Sequence, residues 1–170
     1  MSAVLRGRPE ILVALSRAGG GAHLRLGSQP RLNRTCLHMA VELGGLETVR
    51  VLAEAGGEDL LLRPKEPLGW TCLHVACSKG QMDIVRFLAA VAGGVLLRTP
   101  DRSGNTALHV AAASGPVAVV EHLVALAGDL AGRVNCDGES ALDLARRAGR
   151  GRVCAALLRE AALGGRTGAA

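Results

Sequence analysis

The hexapeptide TCLHMA at residues 35–40 returns three more times, as TCLHVA from Thr71, TALHVA from Thr106 and SALDLA from Ser140. The starts lie 36, 35 and 34 residues apart, and a glycine stands nine residues after each (Gly44, Gly80, Gly115, Gly149). A chain that repeats itself at this period is not organised around one central core. Each unit must bury its apolar side against the next, as stacked repeats do.

Within the motif, Thr or Ser at the start can cap the free amides of a helix's first turn. The Leu two residues on and the Ala five residues on then share one face at the 3.6-residue period. The glycine supplies a left-handed residue to end the helix, so each first helix should be about two turns long. A helix that short is unstable alone and must lean on neighbours. A second apolar pattern follows each glycine: Leu46, Val49, Val51 and Leu52; Met82, Ile84, Val85, Phe87 and Leu88; Val117, Val119, Val120, Leu123 and Val124; Val153, Ala155, Leu157 and Leu158. These read as amphipathic second helices, with stops expected at Gly56, Gly93 and Gly128 and loops carrying Pro, Gly, Asp and Asn.

A unit of helix, tight turn, helix and extended loop, headed by TxLHxA, resembles the ankyrin repeat, whose period is about 33 residues and whose signature is TPLHxA. The four copies carry the resemblance from Thr35 to about Leu163. The motif proline of that family is replaced here by Cys36, Cys72, Ala107 and Ala141, which forgoes the φ that proline presets in a first turn. The resemblance implies an all-α fold, a solenoid of stacked helix-turn-helix units with projecting β-turn loops.

The resulting division is one repeat domain over residues 1–163 and a disordered tail over 164–170. Within the domain, 1–30 form an N-terminal half repeat, 31–66, 67–101 and 102–135 three full repeats, and 136–163 a C-terminal repeat. The half repeat rests on EILVALSRA at residues 10–18, which aligns with a second helix and has no TxLH before it. Its apolar run is shorter than a signal-peptide core and follows Arg6, Arg8 and Glu10. Residues 105–120 lack formal charge but are interrupted at Ser114, Gly115 and Pro116, and they fall short of the roughly 20 residues of a bilayer span, so no membrane insertion is expected.

Charge decides among partner classes. Formal charge is +5 over residues 1–34, −3 over 35–70, +2 over 71–105, −3 over 106–139 and +4 over 140–170. A nucleic-acid surface needs a continuous basic stripe and usually aromatic platforms. Here acidic units interrupt the basic ones, and Trp70 and Phe87 are the only aromatics. The expectation is therefore a charged protein partner and not nucleic acid, with the chain itself monomeric. The Arg146, Arg147, Arg150 and Arg152 group reads as a solvated terminal unit in preference to an anion site.

Cys36 with His38 and Cys72 with His74 look like zinc half-sites. They occupy equivalent places in units stacked about 10 Å apart, too far to converge at the roughly 2.0 to 2.3 Å that zinc requires. The same separation forbids a Cys36 to Cys72 disulfide, and an odd count of five cysteines suggests reduced thiols inside the cell, in cytoplasm or nucleus. Resemblance to the family implies that His38, His74 and His109 are structural, bonding the motif Thr and the backbone of the next unit; Asp143 replaces the histidine in the last unit. No nucleophile elbow, zinc-protease, P-loop or dinucleotide motif occurs, so no catalytic residue, cofactor or metal is assigned and the chain is not expected to be an enzyme.

What the resemblance implies instead is a binding module, a scaffold, adaptor or inhibitor that grips another protein on a concave face of loop tips and first helices. The alternative is the substrate-recruiting fragment of a larger enzyme, such as a kinase or ubiquitin ligase subunit. The loop-tip positions are Arg34, Trp70, Asn105 and Glu139. The outer first-helix positions are Glu42 and Leu43, Ser78 and Lys79, Ala113 and Ser114, and Arg147. Two placements follow for Trp70: an exposed hot-spot side chain, or an indole covered by Leu60, Leu61, Leu62 and Leu68.

Overall fold

The computed structural model describes residues 35–164, so Arg34 and the N-terminal half repeat lie outside the described residues. The four motifs open helices α1 (Cys36–Leu43), α3 (Cys72–Lys79), α5 (Ala107–Ser114) and α7 (Ala141–Arg147). Each is followed by a second helix: α2 (Leu46–Leu61), α4 (Met82–Arg98), α6 (Val117–Leu126) and α8 (Gly151–Gly164). First helices pack on first helices and second helices on second helices from unit to unit, while each pair also packs internally. The described residues contain no strand, only two isolated antiparallel bridges at the necks of loops, Lys65 with Trp70 and Val134 with Ser140.

The core runs along the stack and does not gather at one centre. Leu37, Leu73 and Leu108, the motif leucines, are fully buried, and so are Leu52, Leu88 and Leu123 from the second helices facing them. The corresponding Leu142 of the last unit is only half-buried, because nothing among the described residues stacks beyond it. Arg50 lies over the Phe87 ring, 5.3 Å from its centroid, and ties the outer sides of the first two second helices.

Two expectations about glycine are corrected. The second helix of unit one does break where expected, at Gly57 (φ 59°, ψ −160°) beside Gly56, with a further turn running on to Leu61, but α4 does not end at Gly93 and runs unbroken to Arg98. The reward for continuing is burial of Leu60 and Leu61 in one case and Leu96 and Leu97 in the other. In the third unit α6 stops at Leu126, and a 3-10 turn at Gly128–Gly132 delivers Leu130 to the same layer. The motif glycines Gly44, Gly80 and Gly149 do take left-handed φ, between 68° and 76°. Gly115 does not; it is extended (φ −81°, ψ 167°). Pro116 follows it and disfavours a helical or turn conformation in the residue before. A Cβ at Gly115 would stand 2.6 Å from the Cys77 carbonyl oxygen, so glycine is needed there for close approach to the preceding unit.

Candidate binding cleft on the loop and first-helix face

Each first helix opens with a reciprocal capping box between its Thr or Ser and the residue three positions on. In unit two, the Thr71 amide donates to His74 Nδ1 at 3.2 Å and Thr71 Oγ1 lies 2.8 Å from the same atom. Thr106 and His109 repeat this at 3.2 and 2.9 Å, and Thr35 and His38 at 3.4 and 2.8 Å. Since Nδ1 accepts from an amide, it carries no proton, and the neutral ring holds its hydrogen on Nε2. Nε2 of His38 donates to the Trp70 carbonyl and Nε2 of His74 to the Asn105 carbonyl, each at 3.0 Å. Each histidine thus joins its own cap to the residue just before the next motif.

In unit three, His109 Nε2 is buried without a hydrogen bond. Burial depresses the pKa of both His74 and His109; the Asn105 carbonyl partly offsets this for His74. The His38 and His74 rings, with Nδ1 occupied by the cap and Nε2 by a carbonyl, hold backbone of adjoining units together. In the last unit Asp143 takes the histidine's place in the capping box, accepting from the Ser140 hydroxyl at 2.6 Å and the Ser140 amide at 3.0 Å; these bonds hold its carboxyl below the usual range.

The cysteine and histidine pairs do not assemble a metal site. His38 and His74 spend both ring nitrogens as described, and the Cys72 thiol donates to the Leu61 carbonyl at 3.3 Å. No group of three or more potential ligands comes together among the described residues. Cys72, Cys77, Cys136 and Cys154 are free thiols, with Cys72 and Cys77 buried, as Cys36 also is, and Cys136 exposed. Burial pushes the Cys72 thiol up to about 12 and raises Cys77 still further.

The loops between units are fixed by short side chains that bond their own backbone. Asp101 Oδ1 accepts from the amides of Ser103 and Asn105, both at 2.8 Å, and Asn135 Oδ1 accepts from those of Asp137 and Glu139 at 3.0 and 2.9 Å. Neighbouring loops are then stitched together: Arg102 N donates to the Leu68 carbonyl at 3.1 Å and Cys136 N to that of Ser103 at 2.9 Å. Gly104 (φ 79°) permits this, since a Cβ there would sit 2.8 Å from Cys136 N. Side chains extend the chain of bonds along the tips: Trp70 Nε1 and Asn105 Nδ2 both donate to Asp101 Oδ2, at 3.2 and 3.3 Å, and Asn135 Nδ2 donates to Asn105 Oδ1 at 3.0 Å.

Against this rail lies a cleft of about 340 Å³. Of the residues singled out by sequence, Trp70, Asn105, Ala113, Ser114, Glu139 and Arg147 line it together. Glu42, Leu43, Ser78 and Lys79 do not line it: Glu42 pairs with Lys65 at 2.6 Å, Leu43 and Lys79 are exposed on the earlier units, and Ser78 is half-buried. Trp70 meets neither of its two expected placements in full. It is half-buried, packed against the core, and held by its bond to Asp101 while it lines the cleft; Leu60 and Leu61 go into the core and Leu68 is exposed on the cleft wall.

Sequence reasoning missed Asp101, Ser103, Asn135 and Asp137, which also line the cleft. A signal was present, since Asp101 and Asn135 each stand five residues before a motif start and Gly104 and Gly138 two before. It also took Arg150 for part of a solvated group. Its guanidinium instead reaches back to unit three, where it donates to the carbonyls of Ala111 and Ala112 at 3.2 and 3.3 Å and closely to that of Gly115. Those carbonyls lie at and just past the end of α5, where Ala111 also accepts from the Gly115 amide at 2.8 Å, so Arg150 adds a charged cap to the neighbouring unit's helix.

Comparison with known proteins agrees with this architecture. A family model described as ankyrin repeats, in three copies, matches residues 1–95 and 58–131. No curated protein matches the chain. No described helix is long and apolar enough to cross a membrane.

Proposed function

The chain belongs to the ankyrin-repeat family, and from that premise we propose that it is a non-catalytic scaffold, adaptor or inhibitor that binds a protein partner in the cleft beside Trp70. Ankyrin repeats are in general protein-interaction modules, and typically non-catalytic. The observation that carries the reading for this chain is the convergence of loop-tip and first-helix residues on one cleft: Trp70, Asn105 and Glu139 from the tips, Ala113, Ser114 and Arg147 from the helices. A rim already tied by hydrogen bonds loses little freedom on binding, which favours affinity. A half-buried tryptophan in such a rim is the residue type most enriched among binding hot spots. The same proposal puts the protein in a reducing compartment, cytoplasm or nucleus, to which its free buried thiols are suited.

Affinity capture with mass spectrometry supplies the partner, and hydrogen exchange on the captured complex tests the face. Slowed exchange in the loops at 99–106 and 133–140 is the expected result. Slowed exchange confined to the outer helices α4 and α6 would refute the assignment.

A further inference from the structure

The cleft is amphipathic in a way that selects its occupant. Its apolar part is Trp70, Val110, Ala113 and Leu144, and its acidic part is Asp101, Asp137 and Glu139. Among the described residues the only cation lining it is Arg147, which is already paired with Glu139 at 2.5 Å. The donors to the Asp101 carboxylate, two backbone amides, the indole and the Asn105 side chain, are all neutral, so no cation is spent on it there. Asp137 has no cation within pairing distance among the described residues and is exposed. The space itself exists because unit three carries Ala113 and Ser114 where unit two carries Ser78 and the longer Lys79.

Resting on the interaction-module reading above, we propose that the cleft seats a lysine or arginine side chain presented by the protein partner. Its aliphatic stem lies along Ala113, Val110 and the Trp70 ring, and its charged head meets the Asp101 and Asp137 carboxylates. A long cationic side chain is the one type that satisfies both parts, because its stem buries apolar area while its head stays with charge. An aromatic ring beside a cation adds further attraction. An acidic side chain would meet three carboxylates, and a short apolar one would leave Asp137 desolvated and unpaired.

The test is selection of random twelve-residue peptides displayed on phage against the full chain, with counter-selection on Ala113→Arg, which fills the cleft with a like charge. Peptides that need the cleft should share a lysine or arginine. Replacing that residue by acetyl-lysine or citrulline should abolish measurable binding. Asp137→Asn should weaken binding about fivefold, the upper value for an exposed ion pair, and the loss should shrink in high salt. Cleft-dependent peptides lacking a cation, or indifferent to its neutral replacement, overturn the inference and leave the interaction reading standing. Peptides that bind Ala113→Arg as well as the unaltered chain overturn the cleft assignment and this inference together.

Discussion

At the scale of single residues, the motif histidines have consequences for pH and stability. His74 and His109 have folded pKa values lowered by burial, so below the unfolded value of about 6.5 the unfolded chain binds protons that the native chain does not. Stability from these two groups is complete above that pH and falls as pH drops below it. The thermal midpoint should decline between pH 7.5 and 5.5, and His74→Leu should flatten its share of the slope. A midpoint unchanged over that interval would mean that the rings are protonated in the fold. His74→Ala also strands the buried Thr71 amide, at about 1 to 3 kcal/mol, and takes one of two donors from the Asn105 carbonyl, which keeps the Asp101 amide. The thiols give an independent check: in the native protein Cys136 should react quickly with a disulfide reagent, while Cys72 and Cys77 should react only on unfolding.

At the scale of helices and loops, Arg150 separates from its arginine neighbours. Arg150→Ala removes charged caps from the α5 carbonyls and should destabilise the last two units by about 1.5 to 3 kcal/mol. Arg152→Ala, at an exposed position on α8, should stay within about 0.5 kcal/mol. Equal effects in denaturant titrations would return Arg150 to the solvated group. The contrast also marks what sequence could reveal. Helix starts were legible, since Thr, Ser and the third residue after them act within one turn and form the capping box wherever they occur. Helix ends were less so: the break in α2 falls at Gly57 beside Gly56, but Gly93 permits a stop without compelling one, and burial of Leu96 and Leu97 carries α4 past it. Gly115 misled in the same way: its role is set by Pro116 beside it and by the Cys77 carbonyl from another unit. The site was half legible. Positions relative to the motif picked out Trp70, Asn105 and Glu139, but the bonds that run from Trp70 to Asp101 to Asn105 to Asn135 depend on how loops from different units align.

At the scale of the whole molecule, stability is distributed along the stack, so position in the stack should govern the effect of equivalent mutations. Leu73, fully buried between neighbours, should cost about 2 to 5 kcal/mol as Leu73→Ala, and Leu142→Ala, half-buried in the last unit, distinctly less. A larger loss at Leu142 would contradict the stacking order. A chelator should leave the melting curve unchanged, since His38 and His74 are committed to caps and carbonyls and no group of three or more potential ligands comes together among the described residues. Recognition in the cleft between units two, three and four, as proposed, can be tested by quantitative affinity capture with three baits. These are the unaltered chain, Ala113→Arg in the cleft, and Glu54→Arg at an exposed site on α2. Recovery of a partner with the first and third baits and its loss with the second is the predicted result, with all three melting alike. A partner recovered equally by all three would place its binding surface elsewhere on the protein.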